Sequence, residues 1–104
     1  MSAPANPARG EAAIRIGGAM LTLRPSFAAL VAAEQELGPL FALVERAADH
    51  RLTLNELVAL FWHCLREVPE GMTREAFAEG VAAAGLASAT PALRMLLGQI
   101  LAGR

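Results

Sequence analysis

Apolar residues alternate along two short stretches near the start of the chain, then switch to a helical period. The first stretch, Glu11-Ala12-Ala13-Ile14-Arg15-Ile16, places Ala12, Ile14 and Ile16 on one face. The second, Ala19-Met20-Leu21-Thr22-Leu23-Arg24, places Leu21 and Leu23 together, with Met20 and Thr22 opposite. Gly17-Gly18 joins them, and glycine accepts the positive φ that a tight hairpin turn demands, so this region predicts a β-hairpin. A lone hairpin is marginal in water and must lie on helices or extend a partner's sheet. Residues 1–10, rich in Ala and Pro, show no period. They read as a flexible arm ahead of a single domain over residues 11–104.

The remainder predicts four to five short helices. Pro25-Ser26 opens the first, with Ser26 as N-cap. Phe27, Leu30, Val31 and Leu37 carry its apolar period, and Gly38-Pro39 stops it. A shorter segment holds Leu40, Phe41 and Val44 and ends near Asp49-His50. In the third, Thr53-Leu54-Asn55-Glu56 matches a capping box and Leu52 with Leu57 a hydrophobic staple. Its period predicts a helix to about Val68, before Pro69 and Gly71. The fourth runs from Thr73 to Gly85, with Met72 and Phe77 at staple positions. The fifth is predicted to start at Thr90-Pro91 and carries the stripe Leu93, Leu96, Leu97, Ile100 and Leu101. The fold class is therefore α+β, mainly helical, with the hairpin first.

Bulk properties narrow the function. The chain has 104 residues, one domain's worth, and is 55% hydrophobic. Alanine supplies much of that fraction, and mean hydropathy is +0.41. Arg24, Glu34, Arg46, Arg51 and Arg66 interrupt every apolar run well short of the ~20 residues of a membrane span. MSAPANPARGE has neither a basic start nor an apolar stretch, so it does not read as a signal peptide, and the expected location is the cytoplasm. Net charge is −1 and the nine basic residues, all arginine, are scattered. Nucleic acid is a poor partner for such a surface, and 5% aromatics give no stacking platform. One cysteine excludes an internal disulfide.

The candidate chemistry gathers in Phe61-Trp62-His63-Cys64-Leu65-Arg66-Glu67. On a helix, His63 and Cys64 diverge by about 100°, so they make no thiolate–imidazole pair. His63 falls on the polar side and Cys64 at the apolar margin, a core position. His63 with Glu67 is one i,i+4 pair, too few ligands for a closed metal site. Glu75 and Glu79 share a helix face, where a solvated surface explains them better than an acid–base site. No phosphate loop and no G-x-S-x-G is present. The chain reads as a non-enzyme without cofactor or metal. Its apolar surface stands out: the third helix has an apolar arc near ~200°, against ~100° for a common amphipathic stripe. The helix is then either the centre of the core or partly turned to a partner or to another copy. Trp62 and Leu60, at the borders of that arc, are candidate partner contacts. Phe41 and Met95 join them as large apolar residues near element ends or stripe margins.

The order of these elements resembles a known family. Pro7-Ala8-Arg9-Gly10-Glu11 leads into the hairpin. Leu23-Arg24-Pro25-Ser26-Phe27-Ala28-Ala29-Leu30, Leu37-Gly38, Leu43-Val44-Glu45-Arg46 and Leu57-Val58-Ala59-Leu60 follow. From Pro7 onward the chain is similar to the small tail protein of gene transfer agents and related prophages of alphaproteobacteria. That family is labelled both a tail tube protein and a tail assembly chaperone. The resemblance implies a chaperone that binds the tape-measure protein and assists assembly of the tail tube protein. Its alternatives are a structural tail tube or joining subunit of the particle, hence virion-associated, and a homo-oligomeric adaptor unrelated to tails. It supplies no catalytic residues.

Overall fold

The computed structural model describes residues 4–6 and 10–102. Of the arm read at residues 1–10, residues 1–3 and 7–9 lie outside the described residues. The architecture is α+β and mainly helical, as the pattern predicts. Strands β1 (Ala12–Ile16) and β2 (Ala19–Leu23) precede helices α1 (Phe27–Leu37), α2 (Leu40–Ala48), α3 (Leu54–Cys64), α4 (Arg74–Ala84) and α5 (Leu86–Ala102). The strands pair antiparallel in the register Ala12–Leu23, Ile14–Leu21 and Ile16–Ala19. Gly17 and Gly18 adopt φ of 56° and 84°, the two positive values that a two-residue hairpin turn requires. The predicted faces hold: Ala12, Ile14, Ile16, Leu21 and Leu23 are buried. The hairpin lies on this chain's own helices, with β1 against α4 and α5. α4 comes so close that a Cβ on Gly80 would overlap Ile16 Cγ2.

α3 is the centre. Leu57, Val58, Ala59, Leu60, Phe61 and Cys64 are all buried, so the helix is covered on nearly every side. Burying a leucine or phenylalanine contributes about 1.5–3 kcal/mol, which makes this helix the main source of core energy. Its predicted capping box is present: Thr53 Oγ1 accepts from the Glu56 amide at 3.1 Å, and Glu56 Oε1 accepts from the Thr53 amide at 3.0 Å. Ser26 and Thr73 cap α1 and α4 in the same way, accepting from the amides of Ala29 and Ala76.

Three expectations are corrected. α3 ends at Cys64, not near Val68. Leu65 is extended and bridges to Leu23, the Arg24 amide donates to the Cys64 carbonyl, and the Arg66 amide donates to the Thr22 carbonyl at 2.9 Å. The free edge of β2 thus captures backbone that the side-chain period would leave helical, and Pro69 disfavours helix at Val68. Arg66 then reaches the buried Glu11, Nη1 to Oε1 at 3.1 Å. Burial pushes the Glu11 carboxyl upward, but the Asn6 amide and the guanidiniums of Arg66 and Arg24 outweigh it and hold its pKa below the ordinary value.

α5 starts at Leu86, not at Thr90-Pro91. Gly85, at φ 91°, ends α4, and the chain turns 111° straight into α5. Pro91 lies inside the helix and has no amide for the Ala87 carbonyl, a loss tolerated this near the helix start. α1 is the third case. Phe27 and Val31 are 84% and 37% exposed, whereas Ala33 is fully buried, with Ala29 packed on the core. Ala33 lies about 120° round the helix from Phe27. α1 rests Ala33 and Ala29 on the core, with Leu30 and Leu37 partly buried beside them, and leaves Phe27 and Val31 outside.

Candidate interaction surface

The residues that first suggest chemistry are placed for packing. Cys64 has no exposed surface, and desolvation pushes its thiol up to about 12, so no thiolate is available. His63 Nε2 sits 2.8 Å from Glu36 Oε1 on α1, and Arg74 on α4 donates to both Glu36 oxygens at 2.8 and 2.5 Å. These bonds, that of Arg74 foremost, lower the Glu36 pKa to about 2. The cluster ties three helices together. Since α3 stops at Cys64, Glu67 is not one helical turn beyond His63. Among the described residues no three His, Cys, Asp or Glu side chains converge as metal ligands would. No single helix there is long and apolar enough to cross a membrane.

One concave feature of the surface is mainly apolar. The end of α2, the start of α3 and the first three turns of α5 enclose an open groove of about 350 Å³. α3 contributes Leu54 and Leu57, and the segment before it contributes Leu52. α5 contributes Leu86, Ala89, Leu93 and Leu97, at helical spacing. Leu54 and Leu86 are 43% and 56% exposed.

The groove's wall is fixed by local structure. α2 closes with His50 in the left-handed region, φ 58°. There the Arg51 amide reaches the Arg46 carbonyl at 2.7 Å and the His50 amide reaches the Ala47 carbonyl at 3.1 Å, the Schellman pattern with histidine in the usual glycine position. An ion pair of Arg46 with Glu56 joins α2 to the capping turn of α3. His50 and Arg94 are the ionisable side chains lining the groove, and no carboxylate does.

The four residues singled out from the sequence are not brought together. Leu60 is fully buried, and Trp62 is half-buried with its ring 5.7 Å from that of Phe77. Phe41 is 79% exposed on α2 and Met95 41% exposed on α5, and neither lines the groove. Sequence reasoning passes over Leu54, Leu86 and Phe27. Leu86 is hidden by the misplaced start of α5, while Leu54 and Phe27 occupy apolar positions of helices and pass for core.

A family model described as Phage tail tube protein, GTA-gp10 matches residues 9–103. No curated protein matches the chain, and no solved structure does.

Proposed function

The chain belongs to the GTA-gp10 phage tail tube protein family, and from that premise we propose that it serves tail building as an assembly chaperone that holds the tape-measure protein. The coarser role, in a phage-like tail, follows from the family itself. The observation that carries the finer one is the open apolar groove between α3 and α5. A long helical partner needs its apolar face covered before the tube encloses it, and a helix-lined groove accepts such a face. The small sheet supports the same reading. It has two strands among the described residues, and residues 65–66 already take part of the outer edge of β2. That leaves little sheet edge for joining subunits strand to strand round a ring.

The second reading, a structural tube subunit, is favoured by the family's own description. Two measurements separate them. Co-expression with a tape-measure protein from the same genome should yield a co-purifying complex, and purified tails should lack this chain. Abundant, stoichiometric chain in purified tails with no capture of the tape-measure protein would reject the chaperone. Work in the cytoplasm before assembly follows from the first reading, and residence in the particle from the second.

A further inference from the structure

The groove carries one arginine and no carboxylate on its apolar lining, in a chain whose net charge is −1. Arg94 on α5 lines it, is exposed, and has no ion-pair partner among the described residues. His50 lines the opposite side, and the exposed Arg51 follows it in the chain. Asp49, the nearest acid in sequence, does not line the groove, and Glu56 is occupied by Arg46 and Thr53. An occupant would meet leucine along its middle, the Arg94 guanidinium at one border and no carboxylate.

The dimensions suit one kind of occupant. From Leu86 to Leu97 the α5 wall is about 17 Å long, about three helical turns. Leu86, Ala89, Leu93 and Leu97 fall on one face, the ridge-and-groove relief that a second helix packs into. We infer that this groove selects an amphipathic helix whose apolar ridge is flanked by carboxylates, with Arg94 setting the preference. The inference rests on the groove being the partner site of the chaperone reading, and it adds the charge character of the partner.

The test uses two labelled helical peptides of about 18 residues with the same leucine ridge, one flanked by Glu and the other by Lys. Fluorescence anisotropy should show the Glu-flanked peptide binding about tenfold more tightly, because rim charges set selectivity. That ratio should shrink towards one near ~0.5 M salt, where screening lengths fall to a few Å. Arg94→Glu, at an exposed unpaired position, should invert the preference with an unchanged circular dichroism spectrum. Leu86→Asp, also at an exposed position, should abolish binding of both peptides. Equal affinities, no binding by either peptide, or binding indifferent to Leu86→Asp would each overturn the inference. So would sedimentation showing a wild-type dimer that Leu86→Asp turns into monomers, since a second copy would then occupy the groove. Tape-measure capture combined with equal peptide affinities sinks the charge preference alone. An acidic preference without tape-measure capture sinks the chaperone reading alone.

Discussion

Glu36 shows how far a single residue can be read from the sequence. It lies in the polar run of α1, and nothing near it in the chain announces Arg74, 38 positions away, or His63, 27 away. Both partners depend on how α1 and α4 are laid against α3. Cys64 is the opposite case. Helical spacing alone separates it from His63 and assigns it to packing, and it is fully buried. The Glu36 cluster also gives a signed pH effect. Its folded pKa, about 2, lies below the ordinary glutamate value of 4.5, so its stabilisation is complete above 4.5 and is lost as pH falls through 2. Glu36 is about one-third exposed, so solvent screening holds the contribution to about 1 kcal/mol. Chemical denaturation of wild type and Glu36→Gln at pH 7 and pH 2.5 should show the variant less stable by about that amount at pH 7. The gap should narrow at pH 2.5. A gap that is constant with pH would mean the carboxylate is not the source.

At the level of elements, caps and turns were legible and boundaries set by distant partners were not. Ser26, Thr53, Thr73 and the Gly17-Gly18 turn act within a few residues of themselves, and each is where local rules put it. The ends of α3 and α5 are decided otherwise. The backbone of residues 64–66 leaves the helix because the edge of β2 offers hydrogen bonds, a partner 40 residues away that periodicity cannot register. The groove was hidden for the same reason, since it depends on α5 starting at Leu86 and lining one concavity with the start of α3. Gly80 is another such contact. In an isolated helix, Gly→Ala adds up to about 1 kcal/mol of stability. Here the added methyl would run into the buried, β-branched Ile16, and overpacking of that kind costs about 1–3 kcal/mol. Gly80→Ala should therefore lower stability by about 1 kcal/mol in urea unfolding, and Ile16→Ala should remove that penalty in a double-mutant cycle. A stabilised Gly80→Ala would mean that α4 does not approach β1 so closely.

For the whole molecule, the fold class followed from two periodicities, but which apolar residues form the core did not. The chain holds more large apolar side chains than a centre built round α3 can take, and alanine wins several of the inner places because it lets helices come close. Phe27 and Phe41, two of four phenylalanines, are left at 84% and 79% exposure. Side chains so exposed contribute little to folding, and substitutions there ordinarily shift stability by no more than about 0.5 kcal/mol. Their exposure is explained if tail components or further copies of this chain cover them, as the family's tail role leads one to expect. Phe27→Ser and Phe41→Ser, singly and together, should leave thermal unfolding of the purified chain nearly unchanged. The double variant should nevertheless reduce the yield of assembled tails when it replaces the wild-type chain in a producing cell. Full tail yield would show that these rings meet no partner needed for assembly. A fall in stability of more than about 1 kcal/mol would instead place them in contacts within the fold.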